Sequence, residues 1–224
     1  MITHTRSWTE FVIELQNNIL PVYQANEEEF DPSGVHGRMH ICRALIYGEY
    51  MGKYYQENIY NAVDLDPCRY AIAFHDAGRK GNGPDIWEKD SIRRCLDYLT
   101  SVKYLDIKYA HQIAILINKN TKNSIYKNIV HDADVLEIMR PCGHGGRVGF
   151  KFASLRFGTR KDPLANQIRL SKQLRRELVN ETWEWILETE AIKENLRLSP
   201  IYMEEMLQVL ASKKHKYPNL SSII

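Results

Sequence analysis

Residues 74–91 read FHDAGRKGNGPDIWEKDS. The apolar run Tyr70–Phe74 leads straight into His75 and Asp76, and Arg79, Lys80 and the glycines at 78, 81 and 83 follow. A histidine, a carboxylate and a guanidinium at the end of a buried segment are costly unless they bind each other, a metal or a charged ligand. The stretch therefore poses a question about chemistry as well as about the fold, and its flanks answer the fold first.

On both sides helical periodicity dominates. In SWTEFVIELQNNILPVYQ (residues 7–24) Trp8, Phe11, Val12, Leu15, Ile19 and Leu20 fall near i, i+3, i+4, i+7 spacing, with Ser7 or Thr9 as N-cap. Residues 36–53 read as a second helix and 57–76 as a third, interrupted by DLDP. Asp90 or Ser91 is the expected cap of IRRCLDYLTS, Asp106 opens IKYAHQIAILINK, and SIYKNIVHDADVLEIMR makes a buried helix that stops at Pro141. After a Gly-rich break, Pro163 starts the long amphipathic run PLANQIRLSKQLRRELVNETWEWILETE and Pro200 the last helix. Strand signals are nearly absent, GRVGFKFASLRF being the one stretch that suits extended backbone. The pattern predicts one all-α domain over residues 1–224, with 26–35 and 141–162 as its main loops.

Composition agrees with a folded domain. Of 224 residues, 44% are hydrophobic, enough for a real core, and a net charge of +2 does not call for nucleic acid as partner. The basic clusters RLSKQLRRE and ASKKHK read as solvated helix faces. Cys42, Cys68, Cys95 and Cys142 show no CxxC spacing and are expected to be reduced structural thiols. The N-terminal segment carries charges too early for a signal peptide, and no apolar run approaches the roughly 20 residues that span a bilayer.

The eight histidines, at 4, 36, 40, 75, 111, 131, 144 and 215, carry the chemical signal. His36 and His40, in HGRMHICRAL, are four apart, so a helix would stack both imidazoles on one face. That suits a shared metal, a nucleophile with its acid/base partner, or two satisfied core histidines. His75-Asp76 alone says little, since chance predicts roughly 0.4 such dipeptides in a chain of this composition, and a second one stands at His131-Asp132. Context adds weight: Asp134 lies among apolar residues in IVHDADVLEIM, and a buried carboxylate needs a metal, an arginine or a histidine.

HICRAL, then HD at a helix end, then DADVLE on a later helix resembles the HD-domain superfamily of phosphohydrolases. The resemblance, over roughly residues 36–150, implies an HD-domain-like helical bundle in which His40, His75, Asp76 and Asp134 hold one or two divalent metals (Mg, Mn, Fe or Ni). Such an ion polarises a phosphoryl oxygen and acidifies a water.

Three features go beyond a plain HD pattern: His36 before His40, Glu88 beside Trp87 after the Gly-rich loop, and PCGHGGR with His144 among glycines and Arg147 close behind. Glycines let a ring and backbone amides approach a ligand closely. Glu88 has a plainer role open to it, as a first-turn glutamate at a helix N-terminus. The whole set, HGxxH, HDAGR with WEKDS, DADVLEIMR and a later histidine, resembles the SidE-type phosphodiesterase domains of effectors from Legionella-like intracellular bacteria. FHDAGRKGNGPDIWEKDS is its most specific piece. The resemblance implies a core of about residues 34–150 with C-terminal helices over 163–214 packed on it. It implies cleavage of the pyrophosphate of ADP-ribosylated ubiquitin, or removal of phosphoribosyl groups from protein, with no obligatory cofactor. It casts His36 as nucleophile, Glu88 as the group that orients or deprotonates it, and His144 as acid at the leaving group. His40, Arg38, Arg79 and Arg147 would bind substrate, and the protein would act as a secreted effector in the host cytosol.

Arg38, Arg43, Arg79, Lys80, Arg140 and Arg147 all lie near the candidate groups, and arginine's planar fork matches phosphate. A pyrophosphate or phosphodiester, on protein or on a small nucleotide, is the expected substrate class. Two other readings compete. One is a metal-dependent HD nucleotide phosphohydrolase of the bacterial cytoplasm. The other is a catalytically degenerate domain that binds a phosphorylated ligand or partner.

Overall fold

The computed structural model describes residues 6–32, 36–58, 63–81, 84–122 and 124–139. These are all-α, with no strand among them. The helices are α1 (Trp8–Glu14), α2 (Leu20–Glu29), α3 (Arg38–Asn58), α4 (Asp66–Phe74), α5 (Glu88–Ser101), α6 (Ile107–Ala114) and α7 (Ile125–Met139). A π-helical turn, Leu15–Ile19, joins α1 to α2, and a 3₁₀ turn, Ile115–Ile117, ends α6. The expected segments at 141–162 and 163–214, Cys142 and the stretch GRVGFKFASLRF lie outside the described residues.

Local chemistry sets most of these boundaries. Ser7 and Glu10 form a reciprocal capping box on α1, and Asp106 accepts from the amides of Lys108 and Tyr109 to start α6. Three expectations need correction. The helix expected at 57–76 begins only at Asp66, after DLDP, with Pro67 in its first turn, while residues 57 and 58 still belong to α3. α5 starts at Glu88, so Asp90 and Ser91 lie inside it. Ser91 Oγ instead accepts the Gly78 amide at 3.0 Å, and Asp90 pairs with Arg93 at 2.9 Å. Finally, α2 runs on to Glu29, because Asn26 and Glu27 serve as tethers from its last turns.

α3 lies against α4 and α7, and their shared face is apolar: Ile41, Leu45, Ile46, Ile72, Ala73, Ile129 and Ala133 are buried. Gly48 permits the close crossing of α3 and α4, since a Cβ there would sit 2.2 Å from Ile72 Cδ1. Cys42, Cys68 and Cys95 are buried free thiols. Burial pushes the Cys42 thiol up to about 12, so it behaves as a small apolar group.

One buried ion pair ties the same helices together. Arg69 of α4 meets both carboxylate oxygens of Glu49 of α3 at 2.7 and 2.8 Å, and bonds Asp66 at 2.8 Å. Removing one member of such a pair leaves an uncompensated charge, at a cost of about 3–5 kcal/mol. From the other side, α2 clasps the end of α4. Tyr23 donates its hydroxyl to the Ala73 carbonyl at 2.8 Å, and the Asn26 amide donates to the Ala77 carbonyl at 3.2 Å. These bonds satisfy carbonyls that a helix end leaves open, and they hold the turn carrying His75 and Asp76.

Candidate active site

α4 stops at Phe74, and residues 75–78 turn away from its axis. The His75 ring folds back so that Nδ1 donates to the Ile72 carbonyl at 2.8 Å, which leaves Nε2 facing inward. From the first turn of α3, His40 points at it, with the two Nε2 atoms 3.0 Å apart. Asp134 of α7 brings Oδ1 to 3.6 Å from His40 Nε2 and 3.5 Å from His75 Nε2. Asp76 Oδ2 lies 3.5 Å from each of the same nitrogens. His40, His75, Asp76 and Asp134 thus meet at one point.

His36 joins this cluster from a turn just before α3, not from the helix itself, which begins at Arg38. The i, i+4 stacking read from the sequence is replaced by an edge-on approach of its ring to His40, with centroids 5.7 Å apart. Its backbone amide donates to Asp31 at 2.9 Å and its Nδ1 meets Asp76 Oδ2 at 2.8 Å. An ionised Asp76 accepts there, so the His36 proton sits on Nδ1 and Nε2 keeps its lone pair. The His36 side chain is 18% exposed, while that of His40 is 1% exposed. Of these two rings, His36 is the one an incoming substrate can reach.

The electrostatics follow from this crowding. Burial disfavours charge on Asp76, but His75, the His36 hydrogen bond, His40 and Arg79 outweigh it and hold the carboxyl well below the usual range. Burial likewise opposes charge on Asp134, which the His75 hydrogen bond and charge override, keeping it ionised. Burial opposes protonation of His75 too, yet Asp76 and Asp134 push its pKa up to about 9. At neutral pH the cluster therefore holds two carboxylates against an imidazolium and the Arg79 guanidinium, whose Nε donates to Asp76 Oδ1 at 3.0 Å.

Other candidates fall in different places. Arg38 gives both its backbone amide (2.6 Å) and its Nε (2.7 Å) to Glu27. Glu88 opens α5, half-buried, and accepts the backbone amide of Lys119 at 2.8 Å. A chain of ion pairs links its neighbourhood to the cluster. Lys119 pairs with Asp85, Asp85 lies 3.9 Å from Arg79, and Arg79 holds Asp76. His131 and Asp132, the second HD dipeptide, form a pair of their own at 2.7 Å. His144 and Arg147 lie outside the described residues.

Two participants escaped the sequence reading. Glu137 is buried and accepts from His40 Nδ1 at 2.7 Å through one oxygen and from Arg43 Nε at 2.7 Å through the other. Its place three residues after Asp134 puts both on one face of α7, a signal that was legible in DADVLE. Lys119 left no such signal, being 31 residues from Glu88 and on another turn.

The cluster fits a divalent ion. His40, His75 and Asp134, and separately His36, His40 and Asp76, each offer ligand atoms within 4.8 Å of one another. Two imidazole nitrogens and two carboxylate oxygens are a donor set suited to Mn, Fe or Ni. The ring tautomers are already fixed by Glu137 and Ile72, as metal-binding histidines require. The same groups, with the proton on His75, also form a neutralised cluster without any metal.

No helix among the described residues is long and apolar enough to cross a membrane. No curated protein and no solved structure gives a significant match. Residues 34–195, well over half of the chain, fit the model of the SidE phosphodiesterase (PDE) domain, and the chain belongs to that family.

Proposed function

We propose that this phosphodiesterase cleaves the pyrophosphate or phosphodiester of an ADP-ribosylated or phosphoribosylated protein, with ubiquitin as the protein. The reaction begins with His36. The observation that carries this reading is the His36–Asp76 pair at 2.8 Å, in which an ionised carboxylate holds Nδ1–H and leaves Nε2 both nucleophilic and accessible. Nε2 attacks phosphorus and forms a P–N bond while the P–O bond to the leaving group breaks. His144 protonates the departing oxygen, and water then cleaves the P–N bond to regenerate the imidazole. Glu88, on the loop side, orients the reacting groups or takes the water's proton. Arg79 and Arg147 bind the phosphate and its substituents, while buried His40 and the Glu27-paired Arg38, expected from the sequence to bind substrate, shape the site from behind. In this reading no cofactor is needed, because the His75 proton supplies the positive charge at the centre of the cluster.

The family suggests a secreted effector, and we place its action in the host cytosol. Residues 1–224 would form one HD-like domain, its core at about 34–150 and its C-terminal helices over 163–214 packed on that core.

A second reading is favoured by the convergence of His40, His75, Asp76 and Asp134 with separations of 3.0–3.6 Å. There those four residues hold a divalent metal, in a metal-dependent HD-type hydrolase of nucleotides. Bound there, the ion would polarise a phosphoryl oxygen and acidify a water.

The deciding experiment incubates the pure protein with ADP-ribosylated ubiquitin and with a panel of nucleotides, each with and without EDTA. Turnover of the ubiquitin substrate in EDTA supports the first reading. Turnover of nucleotides alone, stopped by EDTA, replaces it with the second. Binding without turnover would mean a degenerate phospho-ligand domain.

A further inference from the structure

His36 and Asp76 meet at 2.8 Å, yet neither stands inside a helix. Asp76 lies in the turn after α4 and His36 in the turn before α3, so the apolar packing of α3 against α4 does not by itself fix either. The bonds that do come from α2. Tyr23, Asn26 and Glu27, three and four residues apart, share one face of that helix. Tyr23 and Asn26 hold the carbonyls of Ala73 and Ala77, which flank His75 and Asp76. Glu27 takes the Arg38 amide, and its carboxylate lies so close to the chain there that a Cβ on Gly37 would have no room.

Asn26 joins the two sides. Its side-chain amide donates to the Ala77 carbonyl at 3.2 Å, and its own backbone carbonyl accepts the amides of Phe30 and Asp31 at 2.8 and 3.0 Å. Asp31, 5% exposed, then accepts the His36 amide at 2.9 Å, and the His36 imidazole reaches Asp76 at 2.8 Å. The peptide bond from Asp76 to Ala77 closes a circuit through Asn26, Asp31, His36 and Asp76. In a closed circuit each bond restricts the others, so the imidazole has one position and its Nδ1–H one acceptor. A misplacement of about 1 Å in a reacting group can cost about 100-fold in rate. Asn26 and Asp31 also precede residue 34, where the fit to the family model begins.

We propose that Asn26 and Asp31 are positioning residues for the attack by His36, closing the circuit that sets how its imidazole meets the Asp76 carboxylate. Neither touches substrate; Asp31 acts through the His36 backbone and Asn26 through the turn that carries Asp76. The inference rests on the reading of His36 as nucleophile and deepens it, because Nε2 can attack only while Nδ1 keeps the proton.

The test pairs nitrogen NMR of the histidine rings with kinetics on ADP-ribosylated ubiquitin, both on the full chain in EDTA. The His36 signal is assigned as the one missing in His36→Ala, and in wild type its neutral form should carry the proton on Nδ1 alone. In Asn26→Ala and in Asp31→Ala the neutral ring should divide between the two tautomers. Their kcat should fall about 10- to 100-fold, as when the partner orienting a functional histidine is lost, with KM within about twofold of wild type. Asp31→Asn keeps an acceptor for the His36 amide and should restore the wild-type ring signal, with kcat within about threefold. Thermal melts establish which variants are folded. Asn26→Leu, of similar volume and without a donor, serves if Asn26→Ala is not, and the Asn26 variants decide if Asp31→Ala is not. A wild-type ring signal or a wild-type kcat in the alanine variants would overturn the circuit, as would Asp31→Asn as damaged as Asp31→Ala. The two ideas separate cleanly. Divided tautomers in chains that never turn over the substrate would keep the circuit as what orients His36 and remove His36 as nucleophile. An inactive His36→Ala beside fully active alanine variants at 26 and 31 would do the reverse.

Discussion

His40 and His75 face each other through their Nε2 atoms at 3.0 Å, while each Nδ1 is already engaged, by Glu137 and by the Ile72 carbonyl. A carbonyl only accepts, and an ionised carboxylate only accepts, so both rings carry their proton on Nδ1. Two opposed lone pairs repel, and the contact holds only with a further proton or a cation between them. Asp76 and Asp134, 3.5 Å from His75 Nε2, stabilise that extra proton.

Stability should therefore depend on pH in a definite direction. His75 is raised from an ordinary 6.5 to about 9 on folding, so its contribution is fully present below pH 6.5 and fades between 6.5 and 9. At one pKa unit per 1.4 kcal/mol the loss is roughly 3 kcal/mol. Asp76 and Asp134 are held down, so their contributions are present above about pH 4 and fade below it. Melting temperature in EDTA should fall as pH rises from 6.5 to 9, and His75→Gln should remove that slope. A wild-type chain equally stable across this range would show that the pair carries no additional proton.

Glu137 should govern activity without touching substrate. It fixes the tautomer of His40 and neutralises Arg43, both largely buried. Glu137→Ala strands both partners and should cost about 3–5 kcal/mol. Glu137→Gln keeps an acceptor for one of them and should cost only about 1–2 kcal/mol. The milder variant should still lose about 10- to 100-fold in kcat, the usual effect of removing the partner that orients a functional histidine, with KM little changed. A Glu137→Gln enzyme with normal kcat would reduce this residue to a structural anchor.

How far the sequence could have led here is visible residue by residue. Helical periodicity and the order His40, His75-Asp76, Asp134 were sufficient to place four groups at one point, because each sits on or just beyond an apolar helix of the same bundle. His36 was misjudged as helical, since the chain breaks before Arg38, where Glu27 takes the first free amide of α3. Ser91 looked like a cap, yet its hydroxyl is consumed by Gly78 thirteen residues earlier. Lys119 was invisible because its role comes from a contact between distant turns, which no local spacing encodes. Tertiary hydrogen bonds overrode local preference in all three places.

His36→Ala should abolish turnover at a cost of about 1–3 kcal/mol in stability, because it removes one partner from buried Asp76 while Arg79 stays bonded to it. Brief reaction of the wild type with substrate should trap an acid-labile phosphorus adduct on His36, detectable by mass spectrometry at neutral or alkaline pH. Asp76→Ala, by contrast, should unfold readily, losing about 3–5 kcal/mol, because it strips Arg79, His36 and His75 of their shared carboxylate. Full activity in His36→Ala would remove the covalent mechanism.

Gly78 joins the two halves of the opening sequence stretch. Its amide bonds Ser91 Oγ, and a Cβ on it would lie 2.5 Å from the Ser91 nitrogen and 2.7 Å from the Asp90 carbonyl carbon. The obstacle is helix backbone, which cannot swing aside. Gly78→Ala should therefore push the start of α5, and Glu88 with it, away from the His75–Asp76 turn. The expected cost is about 1–3 kcal/mol, the range for overpacking, with a larger relative fall in kcat than in stability. Equal kcat in a destabilised Gly78→Ala would show that the placement of Glu88 does not matter to the reaction.

Metal binding provides the sharpest division between the two catalytic readings. Ligand atoms 3.0–3.6 Å apart suit a divalent ion, but His75 must first release the proton it holds up to about pH 9. Affinity for Mn²⁺ or Ni²⁺ should therefore rise with pH, and the thermal shift they produce should be larger at pH 8.5 than at 6.5. Asp134→Ala removes one ligand and should abolish the shift at both. If the metal-free mechanism operates, EDTA leaves turnover intact at pH 7, and the added ion inhibits because it displaces the proton that balances Asp76 and Asp134. If instead activity tracks metal occupancy across this pH range and vanishes in EDTA, His36 is not the nucleophile and the attacking group is water. In that case no adduct would form on His36 at any time point.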